Sequence, residues 1–388
     1  MDCGQRDFLF NDMTYQQCSL SLMDNVSDPL ITFDDKGISN YYWQYQKAKK
    51  SVLTGQEGQD KINQLVQKMK LRGRGNQYDT ILGVSGGVDS TYLAFLAKKL
   101  GLRVLLFHFD NGWNSELAVD NIERLSKTLE FDLYTHVVDW DEFRDVQLAY
   151  FQASVVDIEA ITDHAAMVAT RRLADKFNVK DVIIGTNIVT ESVLPSYWIF
   201  NKNDGLNLIS IHKKFGKLPL KNFPVLKPQQ LYFYNRVKGQ RFHSLLNYVD
   251  YNKKDVVKII SSELGWRDYG GKHYESVFTR FYQGYILPAK FNVDKRKAHL
   301  SNLIFSGQIT KEEALKIMKQ PIYEKAQYDV DYPFVLKKLG FTDEQFKAYI
   351  EAPRNEHTDY RYYKNNFWDR YPVLKPFRQT WVRIKSNF

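Results

Sequence analysis

Cysteine is nearly absent: Cys3 and Cys18 are the only two in 388 residues, which excludes a disulfide framework and fits a reducing compartment. Long hydrophobic runs are also missing. No apolar stretch approaches the ~20 residues of a spanning helix. Phe8-Leu9-Phe10 is too short for a signal-peptide core, so export is not expected and a cytoplasmic location is. There is no internal repeat and no low-complexity tract. The formal charge of +9 comes without a long basic block. The densest clusters (Lys47, Lys49, Lys50; Lys213, Lys214, Lys217; Lys295, Arg296, Lys297) are short. A phosphate-bearing small substrate or an acidic partner accounts for them as well as RNA does. A hydrophobic content of 44% and this length give one large or two ordinary globular domains with ample core. Aromatics, at 15% and rich in Tyr, suit sugar or base stacking and ordinary packing alike.

What stands out is Ser85-Gly86-Gly87-Val88-Asp89-Ser90. It follows a buried-strand pattern, Thr80-Ile81-Leu82-Gly83-Val84. It precedes a helix whose apolar positions Leu93, Leu96, Ala97 and Leu100 recur at i, i+3, i+4 and i+7. A glycine turn between strand and helix exposes consecutive N–H groups at a helix N-terminus, which is an anion site. Ser85 and Ser90 offer hydroxyl donors, and Asp89 can hold a magnesium ion or brace the loop. The Gly-Lys-Ser/Thr ending of a Walker A loop is missing.

Residues 18–42 read as a small N-terminal hairpin, with alternation at Ile31 and Phe33 and a turn at Asp35-Lys36-Gly37. A helix follows from Asp60, then a linker, Arg72-Gly73-Arg74-Gly75-Asn76. Further strands are expected at Arg103–Phe109, Leu133–Val138 and Asp181–Gly185, alternating with helices. That pattern predicts an α/β fold with a doubly wound parallel sheet. Ligands in such sheets bind beyond the carboxyl ends of the strands, where the glycine loop, Asp110-Asn111 and Thr186-Asn187 all fall. Past residue 250 the pattern turns helical, with capping boxes at Thr310–Glu313 and Thr342–Gln345. The expected division is 1–58 (leader and hairpin), 59–250 (sheet domain) and 251–388 (helical substrate or partner region). Its last stretch, Tyr360–Phe388, is aromatic and basic without periodicity.

Several stretches together resemble the N-acetyl sugar amidotransferases, PP-loop ATP pyrophosphatases of bacterial O-antigen and pseudaminic or legionaminic acid pathways. They are the glycine loop, Phe109-Asp110-Asn111-Gly112, Thr162-Asp163-His164, Gly185-Thr186-Asn187 with Thr190-Glu191, and the late run Gly265–Glu275 through Phe278–Phe281, with Asp294–Arg296 and His299–Ser301. The resemblance runs from about Cys18 to Glu351. It implies ATP with Mg2+, an acetamido group of a nucleotide-activated sugar O-adenylated by ATP, and ammonia displacing AMP to leave an acetamidino group. An amide carbon is a poor electrophile, whereas an adenylated one loses AMP readily. The chain has no glutaminase apparatus of its own. The resemblance therefore implies a separate glutaminase subunit with a cyclase-like ammonia-channel subunit as partners, and neither nucleic acid nor membrane. Members of the family carry two Cys-x-x-Cys pairs flanking the hairpin. The corresponding residues here are Cys18, Ser21, Ser39 and Tyr42, and one thiolate cannot hold a tetrahedral zinc, so none is expected. The rival readings are a PP-loop enzyme modifying tRNA and a non-catalytic scaffold relative.

The candidate ATP and pyrophosphate residues are Ser85, Gly86, Gly87, Asp89, Ser90, Asp110, Asn111, Gly185, Thr186 and Asn187. Asp89 and Glu191 are the candidate magnesium ligands, and Glu191 is also able to take a proton from attacking ammonia. Asp163 and His164 are expected on a helix facing the cleft, His164 as a proton acceptor of near-neutral pKa. Lys272, Glu275, Thr279 and Gln283 fall on one stripe of a helix whose other face is Phe278, Phe281, Tyr282 and Tyr285. Lys272 completes the catalytic candidates. His273, Glu275, Thr279, Arg280, Lys295, Arg296 and His299 are the candidate substrate contacts, Arg280 and Arg296 as clamps for phosphate or carboxylate.

Overall fold

The computed structural model describes residues 14–270 and 274–363. Cys3, Lys272, His273 and the stretch beyond Tyr363 lie outside the described residues. Five strands, β1 (Thr80–Gly83), β2 (Val104–Asp110), β3 (Asp132–Val137), β4 (Asp181–Ile183) and β5 (Arg241–His243), form one sheet in the order β3-β2-β1-β4-β5. All four pairings are parallel. The sheet was legible in the alternating pattern. The short edge strand β5 was not, because its three residues carry no periodicity.

Two helices, α1 (Asn40–Lys49) and α2 (Gly55–Arg72), precede the sheet, and α3 (Val88–Lys99), α4 (Glu116–Leu129), α5 (Trp140–Ala153) and α6 (Ala160–Lys176) follow its strands. Successive strand residues serve opposite faces. Leu82, Val104, Leu106 and Ile183 pack on one side with Ile62, Leu93, Ala97, Ile122 and Leu125 from α2, α3 and α4. Ile81, Leu105, Phe107 and Val182 pack on the other with Ala169 and Leu173 of α6. Both faces are covered, as a parallel sheet requires. The chain leaves β1 toward β2 on one side, while β4 lies on the other, so the crevice of the sheet opens at the carboxyl ends of β1 and β4.

The rest of the chain is helical: α7 (Ile188–Glu191), α8 (Gly205–Phe215), α9 (Pro228–Tyr232), α10 (Lys253–Leu264), α11 (Val277–Phe281), α12 (Leu287–Phe291), α13 (Arg296–Phe305), α14 (Lys311–Met318), α15 (Lys325–Leu339) and α16 (Asp343–Glu351). Thr310 and Thr342 form the capping boxes that open α14 and α16. One hydrophobic cluster joins Met23, Ile31, Tyr41 and Tyr45 of the N-terminal segment, Phe143 and Phe151 of α5, and Phe278, Phe281, Phe305 and Phe346 of the C-terminal helices. Burial of these large side chains stabilises the C-terminal region on the sheet domain rather than beside it.

The N-terminal segment consists of two tight turns held by single antiparallel bridges, Gln17 with Asp24 and Phe33 with Ser39, rather than a laddered hairpin. Cys18, Ser21 and Ser39 converge there: the Cys18 sulfur accepts the Ser39 N–H at 3.3 Å. Burial works to raise the thiol pKa, but hydrogen bonds from Ser21 and Ser39 outweigh it and bring the value down. Tyr42 packs edge-on against Phe305 and Trp43. Among the described residues no group of three or more His, Cys, Asp or Glu side chains is placed to hold a metal ion, and no helix is long and apolar enough to cross a membrane.

Candidate active site

Strand β1 delivers Ser85, Gly86 and Gly87 to the crevice. Gly86 has φ +81°, in the left-handed region, and a Cβ there would lie 2.8 Å from the Ala118 carbonyl oxygen of α4. Only glycine meets both demands. Gly87 caps the 12-residue α3 without a side-chain hydrogen bond of its own; its N–H bonds Ser85 Oγ at 3.3 Å and the Val88 N–H meets the Tyr269 hydroxyl, so an anion is offered the remaining first-turn N–H groups. Ser85 is exposed at the rim, and the Ser90 hydroxyl is turned back to the Gly87 carbonyl at 3.2 Å. From the neighbouring strand, Gly185 backs onto this first turn; a Cβ there would stand 3.1 Å from Ser90 N. Asn187 is buried, its Oδ1 accepts the Thr190 N–H at 2.8 Å, and its Nδ2 has no hydrogen-bond partner. A buried orphan donor beside the glycine loop fits a bound polar ligand. Thr186 is paired through its hydroxyl with Ser244 at 3.0 Å.

Asp89 accepts a hydrogen bond from the phenol of Tyr251. Burial first, then Asp89 and Glu191, drives the Tyr251 pKa far above its ordinary range, so both carboxylates act on one hydroxyl. Magnesium is usually held by one or two carboxylates plus phosphate oxygens, and this pair beside the glycine loop fits that need. Tyr251 carried no motif signal and comes into place only through the fold.

At the end of β2, Asp110 and Asn111 shape their own turn. Asp110 accepts Gly112 N (2.8 Å) and Asn114 Nδ2 (2.9 Å), while Asn111 accepts Trp113 N (3.1 Å) and donates to Thr162 Oγ1 (3.3 Å). They stand at the mouth, as expected, with their polar atoms committed to the loop. His108, not anticipated, staples this turn to β1 through Val84 O at 3.2 Å, and burial lowers its pKa.

The late run crosses the glycine loop. Trp266 Nε1 donates to Gly86 O at 2.8 Å, Asn121 of α4 exchanges two hydrogen bonds with the Arg267 main chain (2.8 and 3.0 Å), and the Tyr269 hydroxyl and a Glu275 carboxylate oxygen lie beside Gly87. Residues 275–277 then pair antiparallel with 113–115: Ser115 N bonds Glu275 O at 2.9 Å and Val277 N bonds Trp113 O at 2.8 Å. The polar stripe expected here is interrupted. Ser276 caps α11, so Glu275 precedes the helix, and a π-helical turn at Tyr282–Ile286 shifts the register before Gln283. Phe278, Phe281 and Tyr282 are buried as expected.

Three expected site residues have structural employment instead. His164 is buried: Nδ1 bonds Lys202 O at 2.8 Å and Nε2 accepts Leu226 N–H at 3.1 Å. Burial lowers its pKa, and with both ring nitrogens engaged by main chain it has no lone pair for a substrate proton. Arg280 forms a fork with Asp331 at 2.7 and 2.9 Å, and Arg296 holds Asp294 and the Gln320 carbonyl. Neither guanidinium is open for a phosphate. Asp163, Thr279 and Lys295 do come together, around Glu159 and Lys202, which sequence reasoning missed. His299 lies one turn after Lys295 on α13.

A family model described as the C-terminal domain of "LPS biosynthesis protein WbpG-like" proteins matches residues 275–375, and one for "Queuosine biosynthesis protein QueC" matches residues 79–197. No curated protein matches significantly. Similar solved structures include an NH3-dependent NAD synthetase from Campylobacter jejuni in complex with the nitrate ion (16% identity, 56% of this chain and 83% of that one, TM-score 0.29). Another is an NMN synthetase from Francisella tularensis (16% identity, 78% and 97%, TM-score 0.31).

Proposed function

Taking as premise a chain of the PP-loop ATP pyrophosphatase superfamily that ends in a WbpG-like LPS-biosynthesis domain, we propose that it is an ATP-dependent amidotransferase that turns the N-acetyl group of a nucleotide-activated sugar into an acetamidino group. The observation that carries this reading is the meeting of the two halves at one rim. Glu275, where the C-terminal match begins, lies beside Gly87 and pairs with Ser115, both inside the PP-loop match.

The amide oxygen attacks the α-phosphorus of ATP, and pyrophosphate leaves toward the remaining first-turn N–H groups of α3 and the Ser85 hydroxyl. Preorganised donors of this kind stabilise the leaving charge without reorganising. Asp89 and Glu191 would hold magnesium, which supplies further charge neutralisation. Tyr251 fixes Asp89, and Trp266 fixes the Gly86 peptide, so the cradle keeps its shape. Asn187 Nδ2 donates to the bound nucleotide. Ammonia from a separate glutaminase then displaces AMP at the activated carbon.

The test is incubation with ATP, magnesium, ammonium chloride and a panel of nucleotide-activated N-acetyl sugars. AMP and pyrophosphate are expected, with a sugar that has exchanged one amide oxygen for NH. ADP as the spent nucleotide contradicts the reading. Stimulation by tRNA instead of a sugar favours the rival reading of a PP-loop enzyme that modifies tRNA.

A further inference from the structure

Between the first turn of α6, the loop before α8 and the helix α11 lies a box of charged side chains that the nucleotide site does not use. Asp157 is buried and accepts Phe200 N–H (2.8 Å) and the Lys202 ammonium (2.6 Å), while His357 Nε2 accepts the Asp157 N–H (3.3 Å). Lys202 reaches on to Asp163 at 3.2 Å. Glu159, half-buried at the N-cap of α6, is hydrogen-bonded to Thr279. Lys295 completes the box, 5.8 Å over the ring of Tyr282, whose hydroxyl bonds Val156 O.

The box stands next to the cradle. Thr162, in the same first turn of α6, is bonded to Asn111 at the end of β2. Glu275, which lies beside Gly87, leads through the Ser276 cap into α11, the helix that carries Thr279. With Glu159 ionised, three carboxylates face two ammoniums, an excess of one negative charge that a small cation balances. Lys202 serves Asp157 and Asp163 directly, which leaves Glu159 with the weakest cationic support. Burial and Asp163 hold its pKa up to about 7, against Thr279, Lys295 and Lys202, while burial lowers the pKa of Lys295. A carboxylate poised near neutrality takes and returns a proton in each turnover.

We propose that Glu159 is a catalytic base of the amidation, taking a proton from an ammonium ion held against Asp163 and releasing ammonia toward the activated amide carbon. This rests on the amidotransferase reading above. One N–H bond of ammonium breaks, with its proton moving to the Glu159 carboxylate and its electron pair staying on nitrogen. That pair forms the C–N bond, the C–O bond to AMP breaks with its pair on the phosphate oxygen, and the product leaves as the protonated amidino group. Glu159 returns its proton to water. Glu191, sharing Tyr251 with Asp89, is left to the metal.

The experiment compares wild type with Glu159→Gln at pH 7, following pyrophosphate release and sugar product separately. With ammonium, product formation falls by about a hundredfold or more while pyrophosphate release with the acceptor sugar persists. Hydroxylamine, uncharged at that pH, restores product. Equal rates with ammonium, or parallel loss of both readouts without rescue by hydroxylamine, overturn the proposal. Thr279→Val keeps the carboxylate and removes a hydrogen bond that lowers its pKa, so the acid limb of the ammonium-dependent kcat moves to higher pH; an unmoved limb contradicts the assignment. If wild type releases no pyrophosphate with any N-acetyl sugar, the amidotransferase reading itself fails and the role of Glu159 falls with it.

Discussion

The pyrophosphate cradle and the charged box are joined through the Asn111–Thr162 hydrogen bond and are built in opposite ways. The cradle is local: a strand, two glycines and a helix start within residues 80–99, shaped by the positive φ of Gly86 and the closeness of Ala118. The box gathers residues 157, 159, 163, 202, 279 and 295 from four separate segments, each held by a different element. A site that needs main-chain donors in a row is written in consecutive residues. A site that needs opposed charges at fixed spacing is written only in the fold.

Breaking the cradle has the largest effect. Gly86→Val forces a branched side chain into a positive-φ position against the Ala118 carbonyl, so AMP formation falls by about a hundredfold or more. Near-wild-type turnover would show that the loop is not the phosphate site. A stability comparison separates structural arginines from ligand-binding ones. Arg280→Ala strands the buried Asp331 and costs about 3–5 kcal/mol in a denaturant melt, whereas Arg296→Ala, at a more open pair, costs about 1 kcal/mol. Equal costs would contradict the placement of Arg280 in the core.

Tyr251→Phe sharpens the link between α10 and the loop. Losing the hydrogen bond to Asp89 lowers kcat about tenfold while the melting temperature changes little. The smallest effects are those of pH on stability. The folded pKa of Glu159, about 7, lies above its usual 4.5, so the folded state binds more protons between those values and stability falls as pH rises through that window. Relative to wild type, Glu159→Gln should gain in melting temperature from pH 5 to pH 7. His357 has the opposite sign: burial lowers its pKa to about 4 from 6.5, so its contribution is lost as pH falls through that range, and His357→Asn should flatten the acid side of the melting profile.

The sheet was legible in advance because buried apolar strands alternating with helical segments leave a recurring trace, and the glycine loop because its chemistry is contiguous. The capping boxes at Thr310 and Thr342 were legible for the same reason. Tyr251, Trp266, Glu159 and Lys202 were not assigned roles, since nothing in their neighbours says what they will meet 45 to 180 residues away. Arg280 and His164 misled because sequence shows a charge or an imidazole and not its partner. Asp331 lies 51 residues from Arg280, and the two main-chain partners of His164 lie 38 and 62 residues away.

The central claim is transfer of the α-phosphorus of ATP to an amide oxygen held over the glycine loop. An N-acetyl sugar substrate labelled with 18O in the acetamido carbonyl tests it directly. The label is expected in the phosphate of AMP; its retention in the sugar, or its release as water while ADP accumulates, would contradict the account.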